Sequence, residues 1–110
     1  MFEITVDNRS DNGKIRIILS GEIDIATAPE FKNRLYEIIG DGTKDIELVC
    51  DGLSYIDSTG LGILVGALKR VKSHQNNVYI YQLRENIKKL FRITGLDKVL
   101  SWRKPYERKL

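Results

Sequence analysis

The 110 residues contain one cysteine, one histidine, one tryptophan and two prolines. The single thiol, Cys50, excludes an intramolecular disulfide and suits a reducing compartment. Zinc takes about four N, S or O ligands. With only His74 and Cys50 to offer, a zinc site here would consist mostly of carboxylates. Long apolar runs are also missing. The nearest to one, Gly60 to Leu68, is far shorter than the roughly 20 residues of a membrane-spanning helix. The start Met1-Phe2-Glu3-Ile4-Thr5-Val6-Asp7 lacks both the basic stretch and the apolar centre of a signal peptide. A cytoplasmic chain without membrane contact is therefore expected. A formal net charge of +3 does not by itself indicate a nucleic-acid partner.

What is present is 42% hydrophobic and 30% charged residues, the composition of a globule large enough to close one core. One domain over residues 1–110 is expected, with 103–110 as a basic, loose tail. The charge is unevenly spread. Residues 1–68 hold six Lys/Arg against twelve Asp/Glu, and residues 69–110 hold twelve against three.

Phe2 to Asp7 alternates apolar and polar, the pattern of a strand with one buried face. After a polar turn from Asn8 to Gly13, Ile15 to Leu19 reads as its antiparallel partner. Gly21 to Ile25 reads as an exit from that strand. Thr27-Ala28-Pro29-Glu30 then opens a helix, with a capping hydroxyl, a first-turn proline and a glutamate at the capping-box position. Phe31, Leu35, Ile38 and Ile39 form its apolar stripe, and Gly40 ends it. Ile46 to Cys50 is a buried strand, Asp51 to Ile56 a loop, and Asp57-Ser58-Thr59-Gly60 the start of a second helix. Leu61, Leu64, Val65, Leu68 and Val71 face its core, with Ile63 and Ala67 off that stripe, where they either form part of a partner-binding apolar patch or pack locally. Val78 to Tyr81 is a strand, and Ile87 to Thr94 a helix stopped by Gly95. Leu96 to Trp102 fits either a short strand or a helical turn. Trp102 and Tyr106 are expected to pin the C-terminal segment. The resulting fold class is α/β: one domain in the order β-β-α-β-α-β-α, a mixed sheet of four to five strands with helices mainly on one face.

Catalytic constellations are sparse. If Ser58 and His74 bracket one helix, 16 positions separate them by roughly 24 Å, which excludes a dyad. Gly60 to Gly66 spells G-x-G-x-x-x-G, one residue off the dinucleotide fingerprint, and no Lys-Ser/Thr pair follows. No catalytic residue, metal or cofactor is expected. The informative segment is Tyr55 to Gly62, which sets hydroxyls beside a carboxylate at a helix N-terminus, where backbone N–H groups lack partners. From spacing alone, Asp57 or Ser58 is an N-cap. Gly62 and Gly66, one turn apart, invite close approach to the backbone, either by a partner or by the protein's own sheet.

Gly21-Glu22-Ile23-Asp24, Asp57-Ser58-Thr59-Gly60-Leu61-Gly62 and Leu90-Phe91-Arg92-Ile93-Thr94-Gly95-Leu96-Asp97-Lys98-Val99 together resemble the bacterial anti-sigma-factor antagonist family, the STAS domain. The resemblance covers nearly the whole chain. It implies a non-catalytic switch protein that binds an anti-sigma factor, itself a serine kinase, and so frees the sigma factor. The kinase would phosphorylate Ser58, with Thr59 as the alternative acceptor, and a separate serine phosphatase would restore the active form. Asp24 matches the aspartate near the family's site. The implied partner-binding set is Asp24, Asp57, Ser58, Thr59, Gly60, Leu61, Gly62, Ile63 and Gly66. The chain departs from the family at Gln82 to Asn86, where many members have a small or proline-containing turn, and in its basic tail. Two rival readings remain. One is a nucleic-acid-binding domain using Lys88, Lys89, Arg92, Arg103, Lys104, Arg108 and Lys109, though no aromatic-basic recognition motif accompanies them. The other is a small nucleotide-binding protein or enzyme using Asp24, Asp57 and Ser58, with Mg²⁺.

Overall fold

The computed structural model describes residues 1–7 and 13–98, and the backbone of 101–103. The N-terminal alternation becomes strand β1 (Phe2–Asp7), with Phe2 and Ile4 buried and Glu3 and Thr5 exposed. It pairs antiparallel with β2 (Lys14–Ile23), and β2 pairs parallel with β3 (Asp45–Ile56). Parallel pairing continues through β4 (Val78–Tyr81) to β5 (Ser101–Arg103), giving a five-stranded sheet in chain order.

Both central strands run further than their sequence suggests. β2 continues through Gly21 to Ile23, and the stretch 51–56 is strand, not loop. Register shifts between Ile18 and Ser20 and between Gly21 and Glu22 break the simple alternation while the pairing persists. Gly21, at φ +90°, lies where a Cβ would collide with the Met1 carbonyl and Phe2, so this glycine marks a bulge with close backbone contact. The C-terminal ambiguity resolves into both options: a 3-10 turn at Leu96–Lys98, then β5. The tail beyond 103, the turn at 8–12 and the side chains of Trp102 and Tyr106 lie outside the described residues.

Helices α1 (Ala28–Ile39), α2 (Ser58–Lys72) and α3 (Glu85–Thr94) make the crossovers β2–β3, β3–β4 and β4–β5. Every crossover steps the same way along the sheet, so right-handed connections put all three helices on one face. Phe31 and Leu35 of α1, Leu64 of α2 and Phe91 of α3 accordingly share one core with Ile17, Leu48 and Ile80 of the strands. On the other face Glu47 is buried but satisfied. Its Oε1 accepts from Arg16 Nη2 at 3.2 Å and its Oε2 from the Tyr81 hydroxyl at 3.0 Å. With β2 to β5 parallel, the carboxyl ends of β2 and β3 lie together; β3 leads through Asp57 into α2, and β2 leads through a turn at 24–27 into α1.

Candidate functional site

That carboxyl edge is fastened by backbone pairing. Ile23 is registered with Ile56, and the Asp57 N–H donates to the Ile23 carbonyl at 3.2 Å. Asp57 is the N-cap of α2. Its extended backbone (φ −105°, ψ −175°) lets Oδ1 accept from the N–H groups of Thr59 at 3.0 Å and Gly60 at 3.1 Å. The first helical bond, Leu61 N–H to the Asp57 carbonyl, is 3.0 Å long. Ser58 is thereby fixed at the first helical position. It is exposed, and its hydroxyl makes no hydrogen bond among the described residues. Thr59 beside it is exposed as well.

The next residues of the motif divide between surface and interior. Gly60, Leu61 and Ile63 are buried, as is Ala67, so none of them offers a side-chain surface. A Cβ on Gly60 would press into Ile56 and Ile23, which places this glycine where the helix start meets both strand ends. Gly66 is covered from within the protein. The Tyr36 hydroxyl of α1 fills the space a side chain there would occupy, and it donates to the Ile63 carbonyl at 3.3 Å. Gly66 therefore serves helix packing, and Ile63 and Ala67, the two residues considered for a partner-binding patch, are buried in the core instead. Gly62 differs from both, since it is exposed and a Cβ there would meet nothing within 4 Å. The accessible part of the motif is Ser58, Thr59 and Gly62, flanked by Asp57.

Asp24 follows Ile23 and closes a tight turn. Its Oδ1 accepts from the Ala26 N–H at 2.9 Å and the Thr27 N–H at 3.0 Å, while its own N–H donates to Thr27 Oγ1 at 2.9 Å. The Thr27 N–H bond above all, with the Thr27 hydroxyl and the Ala26 N–H adding to it, holds the Asp24 carboxyl below its ordinary range. The helix start thus differs from the expected capping box. Thr27 makes no side-chain cap, because its backbone is already helical (φ −94°, ψ −12°) and its hydroxyl is turned back to Asp24. Only one carboxylate oxygen of Asp24 is used in these bonds.

Other candidates are dispersed. α2 runs unbroken from Ser58 to Lys72, so His74 sits at the far end from the serine. Cys50 is buried in β3, and burial, with Asp51 adding to it, pushes its thiol up to about 12. Among the described residues no group of three His, Cys, Asp or Glu side chains is placed to hold a metal. Lys88, Lys89 and Arg92 lie on α3, with Lys88 paired to Glu85 at 3.3 Å. The side chains of Arg103, Lys104, Arg108 and Lys109 lie outside the described residues. No helix among the described residues is long and apolar enough to cross a membrane. Two exposed apolar residues at this edge lie outside the expected partner-binding set: Ile25, 76% exposed, and Tyr55, 47% exposed. An isoleucine inside a turn that favours polar residues was the available signal for Ile25. Tyr55 gave no such signal while 51–56 read as a loop.

Known proteins are similar to this chain in sequence and in fold. The chain is 40% identical to the anti-sigma-B factor antagonist of Staphylococcus epidermidis over 90% of its length and 92% of the relative's. It is 34% identical, with the same coverage, to the anti-sigma-B factor antagonist of Staphylococcus aureus. Its fold matches the anti-sigma factor antagonist SpoIIAA in the unphosphorylated form (TM-score 0.78, 19% identity, 96% of this chain and 90% of that one). It also matches the Bacillus cell fate determinant SpoIIAA in the phosphorylated form (TM-score 0.72, 19% identity, 96% and 93%). The family model described as the STAS domain matches residues 5–109. The chain belongs to the STAS domain family.

Proposed function

We propose that this chain is an anti-sigma factor antagonist whose docking is switched by phosphorylation of Ser58. The observation that carries the reading is the Ser58 hydroxyl, exposed and without a hydrogen bond among the described residues, at the first position of α2, on an edge built from the ends of two strands. The names of the staphylococcal relatives support the antagonist role. The existence of a fold relative in both unphosphorylated and phosphorylated forms supports the switch. In the bare state Ser58 is small and neutral, and Gly62 lets a partner come close to the helix backbone. The anti-sigma factor acts as the kinase: the serine oxygen attacks the terminal phosphorus of its ATP, the bond to ADP breaks, and the hydroxyl proton passes to a base on the kinase. A phosphatase later transfers the phosphoryl group to water. The chain itself catalyses neither step, and both take place in the cytoplasm.

A phosphoryl group adds about −1.5 to −2 charges. The Asp57 carboxylate already holds the Thr59 and Gly60 N–H groups, so the phosphate cannot fold onto these donors without displacing it. It stays outward, on the same edge as Asp57 and Asp24, and a partner pressed against Ser58 meets its bulk. The test is a pull-down from host extract with wild-type and Ser58→Asp protein side by side, followed by mass spectrometry of kinase-treated chain. Recovery of an anti-sigma kinase by wild type alone, with phosphate on Ser58, is expected. Equal recovery by both proteins, or phosphate on Thr59 alone, contradicts the assignment.

A further inference from the structure

We propose that Ile25 and Tyr55 are the apolar anchors of the Ser58 edge, and that they seat in a partner face that is cationic around two apolar contacts. This inference rests on the function proposed above and adds the chemistry of the surface that docks. Ile25 is 76% exposed and Tyr55 47% exposed, among few large apolar side chains that the described residues leave in water. Their positions converge. Tyr55 is registered with Glu22 and the following pair is Ile23 with Ile56, so Ile25 lies two residues beyond that pair in the turn after β2 and Ser58 two beyond it at the start of α2.

Ile25 is also held in place. The turn around it is closed by the three hydrogen bonds between Asp24 and the Ala26–Thr27 segment, each 2.9–3.0 Å. A side chain carried on a fixed turn loses less freedom on docking than one on a loose loop, and this favours binding without contributing to folding. Burying either residue removes apolar surface from water at about 25 cal/mol per Å². Gly62 contributes the open backbone between them and the next helical turn.

The charged side chains of the two edge segments themselves carry one sign. The segments 20–27 and 51–63 contain Glu22, Asp24, Asp51 and Asp57 and no lysine, arginine or histidine. Two cations adjoin them: the N-terminal ammonium, which helps to lower the Asp24 carboxyl, and Arg84, whose Nε donates to the Asp51 carbonyl at 3.0 Å. A partner surface that matches this edge is therefore positive, and the same positive surface would attract a second, phosphorylated edge unless the phosphate clashed sterically. Docking contact, more than long-range attraction, must then distinguish the two states, which assigns the apolar anchors their part in discrimination.

The experiment is titration calorimetry of the purified anti-sigma factor kinase of the same host into wild type, Ile25→Ala, Tyr55→Ala, Ser58→Asp and the control Ile93→Ala, at 50 and 300 mM salt. Ile93 is 72% exposed on α3 and lies outside the two edge segments. Circular dichroism and thermal melting check that each variant keeps its fold. About tenfold or greater loss of affinity is expected for Ile25→Ala and for Tyr55→Ala, less than twofold for Ile93→Ala, and weaker wild-type binding at high salt. If Ser58→Asp abolishes binding while Ile25→Ala and Tyr55→Ala bind like wild type, the anchors are wrong and the switch stands. Unchanged wild-type affinity between the two salts overturns the cationic partner face. If Ser58→Asp itself binds like wild type, the functional reading and the inference fall together.

Discussion

The Tyr36 hydroxyl occupies the place where a side chain on Gly66 would project, so α1 and α2 meet through a tyrosine set against a bare stretch of backbone. Tyr36 is pinned there by its bond to the Ile63 carbonyl and by Arg70, whose guanidinium lies 4.5 Å from the ring centre. Gly66→Ala must push this ring aside, and the loss outweighs the better helix propensity of alanine. A net destabilisation of about 1–2 kcal/mol is expected from urea unfolding. Tyr36→Phe in the same background should recover part of it. Gly62→Ala, where a Cβ meets nothing, should instead stabilise by up to about 1 kcal/mol.

Asp57 caps two N–H groups of α2 with one oxygen. Asp57→Ala is expected to cost about 1–2 kcal/mol in unfolding free energy. Asp57→Asn keeps a capping oxygen and should lose less than half of that. Equal losses in the two variants would show that the carboxylate charge, not the cap, is what the helix start requires.

Asp24 gives the stability a defined acid limb. Its carboxyl is held below the ordinary 3.8 by the Thr27 and Ala26 donors, so its contribution is present above that value and is lost as pH falls through the lower folded value. Urea unfolding of wild type and Asp24→Asn from pH 7 to pH 2.5 checks the sign. The wild-type advantage should be constant at neutral pH and shrink as the medium becomes acid. An advantage that grows toward acid would contradict the hydrogen-bonded carboxylate.

Cys50 reports on opening of the core. In the folded chain burial raises its thiol from 9.0 to about 12, so the reactive thiolate is scarce at pH 8. Labelling by a disulfide reagent should be negligible in the native protein and complete in denaturant. Because the unfolded thiol ionises first, stability should also decline as pH rises from about 9 toward 12. Rapid labelling of native protein would mean that β3 opens locally.

Much of the architecture was readable because its signals are local. Alternation marked β1, the periodic stripe marked α1, and Gly40 and Gly95 marked helix ends where the backbone turns to positive φ. The second halves of β2 and β3 were not readable. Their pairing survives through register shifts around Gly21 and Gly52, and no local rule separates a glycine that bends a strand from one that ends it. At the site, Asp57 and Ser58 stand where their sequence placed them. The helical glycines carried no mark of their separate duties: Gly60 and Gly66 serve internal packing, Gly62 faces outward, and the difference depends on Ile23 and Tyr36, far away in the chain, as well as on the nearby Ile56. The capping box at Thr27 was displaced by a local competitor: Asp24 Oδ1 takes the Thr27 N–H, and the Thr27 hydroxyl turns back to the Asp24 N–H.

The most direct measurement is the affinity of the purified anti-sigma factor kinase for this chain in two states, bare and stoichiometrically phosphorylated on Ser58, by calorimetry under one set of conditions. The account predicts tight binding of the bare chain and about 100-fold or weaker binding of the phosphorylated one, a difference of roughly 3 kcal/mol. Equal affinities for the two states would contradict it.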